Sequence, residues 1–153
     1  MFTKIYDKKQ FFKNNLKFNL GEHFYTFSKK NTIRGLHYQN KPYEQKKIVY
    51  VAKGKILDIF LDIRKDSPTY GEWDSIILSE SNNKAIFIPE GFAHGFQTLE
   101  DSIVVYLCSS EFSPQCYTGI RWNDKNLKIK WVFKNPIISK KDKNLPLFNI
   151  NKK

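Results

Sequence analysis

Apolar and polar residues alternate along most of the chain between Lys46 and Ser109. The alternating segments are short and are separated by glycine, proline, asparagine or serine, which is the pattern of antiparallel β-sheet. The predicted strands are Lys46–Ala52, Lys55–Ile63, Trp73–Leu78, Lys84–Ile88, Gly95–Leu99 and Ile103–Ser109. A hairpin turn at Lys53-Gly54 fits between the first two. No segment between Thr32 and Ser109 has the pattern of a long amphipathic helix, so we predict an all-β sandwich or barrel.

The predicted strand Lys55–Ile63 carries two acidic residues. Successive side chains of a strand point to opposite faces, so Asp58 and Asp62 are expected on one face, with Phe60 between them. The other face is apolar and consists of Leu57, Ile59, Leu61 and Ile63. This strand is therefore expected to present two carboxylates to one side of the sheet.

The two ends of the chain have less regular patterns. Phenylalanines dominate the first 30 residues, and we predict strands near Leu16–Leu20 and Phe24–Ser28. After Asn135, two prolines and several lysines predict an extended tail, which is expected to pack Ile137, Leu147 and Phe148 against the rest of the protein. Residues 1–153 are thus predicted to form a single domain with a C-terminal tail from about residue 135.

The composition is that of a folded protein. The chain has 153 residues, of which 41% are hydrophobic and 16% aromatic, and this disfavours a disordered segment. No apolar run approaches the roughly 18 residues of a membrane span, and no secretion signal is apparent, so we expect a cytoplasmic protein with no membrane partner. The spacing of Cys108 and Cys116 fits neither a zinc site nor a disulfide framework, so free thiols are expected.

The formal net charge of +11 leaves three interpretations open: a lysine-rich sequence bias, an anionic small substrate, or nucleic acid. The 26 lysines and arginines are scattered, and no nucleic-acid-binding motif accompanies them. We therefore expect no nucleic-acid partner and retain a phosphorylated substrate as a possibility.

The histidines are few, namely His23, His37 and His94. They lack the x-His-x-His pair typical of metal sites in β-barrels, so no metal is expected. His37 follows Arg34 by three residues and is a candidate general base, because imidazole titrates near neutrality. His94 precedes a glycine, and Asp58 or Asp62 could orient its ring. A buried histidine bonded to backbone is the alternative for both.

Four segments occur in an order that is typical of one enzyme family. They are Arg34-Gly35-Leu36-His37-Tyr38-Gln39, Asp62-Ile63-Arg64 with Ser67-Pro68-Thr69-Tyr70-Gly71, Ile88-Pro89-Glu90-Gly91-Phe92-Ala93-His94-Gly95-Phe96, and Gly119-Ile120-Arg121-Trp122-Asn123-Asp124. Together they resemble the dTDP-4-dehydrorhamnose 3,5-epimerase family, and the similarity extends from about Thr32 to Pro146.

This resemblance implies a cupin-type jelly-roll β-barrel, usually a homodimer, that acts on a nucleotide-diphosphate 4-keto-6-deoxy sugar without a metal or other cofactor. A base removes a proton next to the ketone, an enolate forms, and an acid returns a proton to the opposite face. The implied function is epimerisation at carbon 3, carbon 5 or both, in the synthesis of a surface polysaccharide such as lipopolysaccharide or capsule. A 3,4-ketoisomerase of the same fold and a non-catalytic sugar-binding cupin are the alternatives.

The resemblance also implies the catalytic residues. His37 is similar to the family's base, Asp142 to the carboxylate that orients it, and Tyr106 to the acid. Without the resemblance, Tyr106 would be interpreted as a packing residue of a strand. Lys47 is similar to the cation beside the enolate, with Lys46 the alternative if the register slips by one residue.

The substrate-binding residues that the resemblance implies are Arg34, Gln39, His94, Asp58, Phe112 and Lys141. His94 and Asp58 are expected to form a supporting pair. Three departures from the family pattern are visible. Residues 1–30 lack its Asp-x-Arg-Gly-x-Phe segment, Phe24-Tyr25-Thr26-Phe27-Ser28 replaces its Gln-x-Asn pattern, and Phe112 stands where an aromatic residue with a hydroxyl is expected. The identity of the nucleotide and the size of the sugar therefore stay open.

Overall fold

The computed structural model describes residues 2–149. The described chain forms nine strands and two short helices. The strands are β1 Glu22–Ser28, β2 Ile33–Gln39, β3 Lys47–Lys53, β4 Lys55–Asp62, β5 Trp73–Ser79, β6 Ala85–Ile88, β7 Phe92–Thr98, β8 Ser102–Cys108 and β9 Tyr117–Gly119. The helices are α1 Lys8–Lys13 and α2 Lys140–Lys143. Neither helix is long and apolar enough to cross a membrane.

The strands form two sheets. The four-stranded sheet has the order β1-β8-β3-β6, and the five-stranded sheet has the order β5-β4-β7-β2-β9. Neighbouring strands within both sheets are antiparallel. The arrangement is an all-β jelly roll of the cupin type, so the predicted fold class is confirmed.

All six strands predicted between Lys46 and Ser109 are present. The largest difference between predicted and observed bounds is at β7, which begins at Phe92 rather than Gly95. The predicted strand Phe24–Ser28 is also present as part of β1. The predicted strand Leu16–Leu20 is wrong, because this segment has no regular secondary structure. Its buried Phe18 packs edge-on against Tyr6 and Phe87 instead.

Strands β2 and β9 were not predicted. In β2 the pairing with β7 shifts register between Arg34 and His37, and Gly35 has a φ of +107°. A bulge of this kind interrupts the period of two, so the sequence pattern does not indicate a strand there. Strand β9 has only three residues, too few to establish a period.

The inner core lies between the two sheets. It is formed by Val49, Val51, Ile56, Leu78, Ile88, Phe96, Val104, Tyr106 and Cys108. Residues 104, 106 and 108 share this core, as strand alternation predicted. Tyr106 and Cys108 stand at the edge of the core, where it opens into a cavity.

A second core covers the outer face of the five-stranded sheet. Its buried members are Leu36, Ile59, Leu61, Ala93, Ile120, Leu127 and Phe148. The predicted alternation in β4 is confirmed, because Ile59 and Leu61 belong to this outer core while Asp58 does not. The residues after β9 supply the cover and bring the tail back over the sheet.

The tail is fixed to the barrel by backbone and side-chain contacts. Phe148 is buried, as predicted, but the side chains of Ile137 and Leu147 are 57% and 55% exposed, so the expectation that they pack inward is wrong. The backbone of Ile137 instead forms a bridge to Thr32. Backbone hydrogen bonding thus holds this part of the tail without burying its side chains.

Candidate active site

A cavity of about 270 Å³ opens between the two sheets at one end of the barrel. Residues from six strands, from the loops before β3 and β9 and from α2 line it: Glu22, Phe24, Thr26, Arg34, His37, Gln45, Lys47, His94, Gly95, Phe96, Tyr106, Cys108, Phe112, Tyr117 and Lys141. Seven of the ten predicted site residues are among them, namely Arg34, His37, Lys47, His94, Tyr106, Phe112 and Lys141. The cavity is therefore the candidate active site.

His37 projects into the cavity from β2 and pairs with Asp142 from α2. The distance from His37 Nε2 to Asp142 Oδ1 is 2.8 Å, although 105 residues separate the two in the sequence. Asp142 Oδ2 also accepts a hydrogen bond from the Gly35 amide at 3.2 Å. Because a carboxylate only accepts hydrogen bonds, His37 presents an N–H to Asp142 and keeps its other ring nitrogen unprotonated in the neutral form.

Helix α2 is too short to be stable alone, and its first turn holds Asp142 in place. Ser139 caps the helix, and its Oγ accepts a hydrogen bond from the Asp142 amide at 3.0 Å. The Asp142 side chain is buried at 7% exposure. A cap satisfies an amide that the helix itself leaves without a partner. The tail therefore places an oriented carboxylate beside His37.

Opposing influences act on the charge of this pair. Burial lowers the pKa of His37 below its ordinary value of 6.5, and the hydrogen bond with Asp142 raises it in part. Burial raises the pKa of Asp142, but hydrogen bonds from His37, Gly35 and Ser139 outweigh that effect and lower it overall. At neutral pH, a neutral imidazole beside a carboxylate is suited to accept a proton.

Lys47 enters the cavity from β3, and Lys46 does not. The Lys47 side chain is 8% exposed, and its Nζ donates to the His37 carbonyl oxygen at 3.4 Å. Lys46 points the other way and lies 3.8 Å from Glu90. Desolvation lowers the pKa of Lys47, while the nearby Cys108 and Asp58 act to raise it. Of the two lysines that the sequence left open, Lys47 is therefore the one that lines the cavity.

Tyr106 reaches the cavity from β8, in the sheet opposite His37. Its ring stacks on Phe24 with centroids 4.8 Å apart and an interplanar angle of 15°. Burial raises the pKa of the phenol well above 10.0, and the Asp58 carboxylate adds to this effect. The group is therefore a protonated phenol at neutral pH, which is the form a proton donor needs.

His94 pairs with Asp58 on the floor of the cavity. The Nε2 atom lies 2.5 Å from Asp58 Oδ1 and 3.0 Å from Oδ2, and both side chains are buried. Asp62 was the alternative partner for His94, but its carboxylate binds Arg64, Ser67 and Thr69 instead. Asp58 itself does not line the cavity.

Arg34, Phe112 and Lys141 lie around the mouth of the cavity. Arg34 is oriented by hydrogen bonds from Nε to Ser28 Oγ at 2.9 Å and from Nη2 to the Phe27 carbonyl at 3.2 Å. Phe112 is 48% exposed. The Lys141 Nζ lies 3.9 Å from the centroid of the Tyr117 ring, in a cation–π contact. Two cations and an exposed aromatic ring thus flank the opening.

Of the predicted binding residues, Asp58 and Gln39 do not line this cavity. Gln39 is held by backbone groups instead. Its side chain donates to the carbonyls of Tyr43 and Glu111 and accepts from the Ser113 amide, at 2.7, 3.0 and 2.7 Å. It does not line the cavity, and its amide is fully engaged with backbone groups. Gln39 therefore joins two loops and lines a neighbouring cavity instead of this one.

Several lining residues were missed by sequence reasoning. Tyr117 lies 5.2 Å from His37 between ring centroids, and burial and Asp142 raise its pKa. Phe24 and Thr26 lie two residues apart on β1 and therefore share one face. Most of this strand was predicted, but the face that points inward was not. Alternation alone identifies two possible faces, and only the packing of β1 on β8 selects the one toward the cavity.

Comparisons with known proteins identify the family of this chain. The family model for dTDP-4-dehydrorhamnose 3,5-epimerase matches residues 1–149. The chain belongs to this family. It is 46% identical over 118 residues to the dTDP-4-dehydrorhamnose 3,5-epimerase of Shigella flexneri, covering 76% of this chain and 65% of that protein. The chain thus spans just under two thirds of the length of this curated epimerase.

Solved structures of epimerases in this family are similar along most of the chain. The crystal structure of the dTDP-4-dehydrorhamnose 3,5-epimerase from Bacillus anthracis, with TDP and PPi bound, matches with a TM-score of 0.94 and 41% identity. The match covers 96% of this chain and 85% of that one. The Legionella pneumophila epimerase, in complex with dTDP-4-keto-L-rhamnose, matches with a TM-score of 0.88 and 33% identity, covering 94% and 78%.

Proposed function

We propose that this chain is an epimerase that inverts carbon 3, carbon 5 or both in a nucleotide-linked 4-keto-6-deoxy sugar. One observation carries the proposal: His37, paired with the buried Asp142, and the protonated phenol of Tyr106 face a single cavity from opposite sheets. Inversion requires a base on one face of a carbon and an acid on the other. Membership of the epimerase family supports the same reaction.

The proposed reaction moves one proton off the sugar and another one on. His37 accepts the proton from the carbon next to the ketone, and the electron pair of the C–H bond forms an enolate whose charge lies on the ketone oxygen. Tyr106 then donates its proton to the opposite face, the ketone re-forms, and the carbon is inverted. Solvent restores the proton of Tyr106 and removes that of His37, so the step is an isomerisation with no redox change.

Lys47 is proposed to stabilise the enolate oxygen. Its ammonium is buried beside His37, where low dielectric strengthens its interaction with developing negative charge. A single well-placed donor to an oxyanion contributes about 3 kcal/mol to transition-state stabilisation. Desolvation lowers the Lys47 pKa, and the negative charge of the enolate acts in the opposite direction.

The nucleotide diphosphate is proposed to bind at the mouth of the cavity. Arg34 and Lys141 provide positive charge there, and the exposed ring of Phe112 provides a stacking surface for a base. A thymidine nucleotide is supported by the ligands of the Bacillus anthracis and Legionella pneumophila structures. The product would enter the synthesis of a surface polysaccharide such as lipopolysaccharide or capsule, in the cytoplasm.

A homodimer is proposed from the outer side of β1. This strand is at the edge of its sheet, and its outward aromatic residues Tyr25 and Phe27 are 70% and 52% exposed. Exposed aromatic residues on a sheet edge are typical of an interface. Light scattering is expected to give twice the chain mass, and Phe27→Lys is expected to shift the protein toward a monomer. A monomeric wild-type protein would refute the proposal.

The reaction is tested by incubating the protein with a dTDP-linked 4-keto-6-deoxyhexose in deuterated water and following carbons 3 and 5 by NMR. Deuterium is expected at an inverted carbon. His37→Ala is expected to abolish exchange with the fold intact, and His23→Ala, at an exposed histidine outside the cavity, is the matched control. Absence of exchange with thymidine, guanosine and cytidine nucleotide sugars would refute the epimerase, and a displaced carbonyl would instead indicate a 3,4-ketoisomerase.

A further inference from the structure

The hydroxyl of Thr26 is a buried polar group without a hydrogen-bond partner. Within residues 2–149, Thr26 Oγ1 is the single buried side-chain oxygen or nitrogen in this condition. Native proteins rarely leave such a group unsatisfied, and an exception often has a functional reason. Thr26 also lines the catalytic cavity, so its hydroxyl lies where a reacting group could use it.

Strand β1 covers Tyr106 with two side chains. Phe24 pairs with Tyr106 in the antiparallel register of β1 and β8, and its ring stacks on the phenol ring. Thr26 is two residues further along and therefore on the same face of the strand. Both residues line the cavity together with Tyr106. Phe24 thus holds the ring, while Thr26 is near its polar end.

The surroundings of the phenol oppose its ionised form. Burial and the carboxylate of Asp58 raise the pKa of Tyr106, whereas Arg34 and hydrogen bonding by Thr26 act to lower it. The Thr26 hydroxyl therefore acts on the phenol, but in the resting protein it does not reach the geometry of a full hydrogen bond. A hydrogen bond to an ionised oxygen is shorter and stronger than one to a neutral oxygen.

We propose that Thr26 is a positioning residue for Tyr106, whose hydroxyl directs the phenol toward the substrate and donates a hydrogen bond to the phenolate once the proton has left. The inference rests on the proposed function, because it assigns Tyr106 the role of proton donor. The proton goes from the Tyr106 oxygen to the enolate carbon, and Thr26 keeps its own proton throughout. The unpartnered state of the resting hydroxyl is the form that is ready for the phenolate.

This role separates two measurable events. His37 can remove a proton and return one from solvent to the same face, which labels the substrate without inverting it. Delivery to the opposite face requires Tyr106. Loss of the Thr26 hydroxyl should therefore raise the ratio of labelled substrate to inverted product, whereas general damage to the site should lower both together.

The test compares Thr26→Val, which removes the hydroxyl and keeps the shape, with Thr26→Ser, which keeps the hydroxyl. Thr118→Val on β9 is the matched control, because Thr118 does not line the cavity. With a dTDP-linked 4-keto-6-deoxyhexose in deuterated water, kcat for inversion by Thr26→Val should fall about 10- to 100-fold at nearly unchanged KM. The ratio of labelled substrate to product should rise, and Thr26→Ser should restore most of both.

Four outcomes decide the inference. The expected pattern supports it, and a Thr26→Val enzyme with wild-type kcat and ratio overturns it. Equal damage in Thr26→Ser, or a fall in exchange and inversion by the same factor, would mean a packing role and would also overturn it. If circular dichroism shows that Thr26→Val is unfolded, Thr26→Ala supplies the same comparison. Failure of the wild-type protein to exchange any deuterium would contradict the proposed function instead.

Discussion

His37 is held in its neutral form by its surroundings, and its partner sets how strongly it binds a proton. Burial is the largest influence and lowers the pKa of the imidazole, while Asp142 raises it. A base must be unprotonated to act, so activity is lost as the pH falls through the pKa of His37. The acid limb of kcat/KM is therefore expected below pH 6.5.

Replacement of Asp142 should change that limb in a defined direction. Asp142→Asn removes the negative charge that raises the His37 pKa, so the acid limb should move to lower pH. The rate at neutral pH should also fall about 100-fold, because the base becomes weaker and less well oriented. The pH profile of kcat/KM measures both effects, with Asp66→Asn at an exposed position as the control. A limb that moves to higher pH would contradict this assignment.

At the scale of elements, strand β2 depends on one glycine. A Cβ atom at residue 35 would lie 2.6 Å from the His94 carbonyl oxygen and 2.7 Å from Gly95 Cα, both backbone atoms that cannot rotate away. The φ of +107° is also strained for any L-residue with a side chain. The same glycine amide donates to Asp142. Gly35 therefore allows β2 to pair closely with β7 and also helps to orient His37 through Asp142.

Gly35→Ala should consequently impair both stability and catalysis. We expect a loss of about 2–3 kcal/mol in the free energy of unfolding, from backbone strain together with the displaced contact. Gly71→Ala is the control, because Gly71 has a similar φ of +83° in the turn between β4 and β5. It should lose about 1 kcal/mol and keep normal kcat. Urea unfolding and steady-state rates provide the comparison, and equal behaviour of the two variants would refute the argument.

At the scale of the whole molecule, the tail connects the outer core to the candidate active site. Asp124 is 4% exposed, and its Oδ1 accepts from the amides of Asn126 and Leu127 while Oδ2 accepts from the Phe148 amide. Arg121 Nε adds a hydrogen bond to the Leu145 carbonyl at 2.9 Å. These contacts fix the chain on the C-terminal side of the helix that carries Asp142.

Asp124→Asn should loosen this segment. The amide oxygen can still accept from Asn126 and Leu127, but the NH2 group would face the Phe148 N–H, so two donors would meet. We expect a loss of about 2 kcal/mol in unfolding free energy and faster hydrogen exchange at residues 140–148. Asp101→Asn, at an exposed ion pair with Lys29, is the control and should change the unfolding free energy much less, because solvent screens exposed ion pairs. Unchanged exchange in the tail would show that Asp124 does not hold it.

Much of the fold and some of the site could be predicted from sequence. The period of two is a local property of an extended chain, so the strands from Lys46 to Ser109 and the separation of Asp58 from Ile59 and Leu61 were correct. The family resemblance likewise identified seven of the residues that line the cavity, whereas Phe24, Thr26 and Tyr117 were missed. Where the chain departs from regular geometry, as at the bulge in β2, the pattern is lost and the strand was missed.

The sequence by itself therefore determined the strand faces, the all-β class and the family, because neighbouring residues and ordered motifs encode them. Only the tertiary structure decided that the acidic side of β4 faces inward and that the tail covers its apolar side. It also decided that Asp58 rather than Asp62 binds His94, that Lys47 rather than Lys46 enters the cavity, and that Gln39 does not. These outcomes depend on sheet register and on contacts between distant segments, and a one-residue shift in register would reverse every inward and outward side chain of a strand.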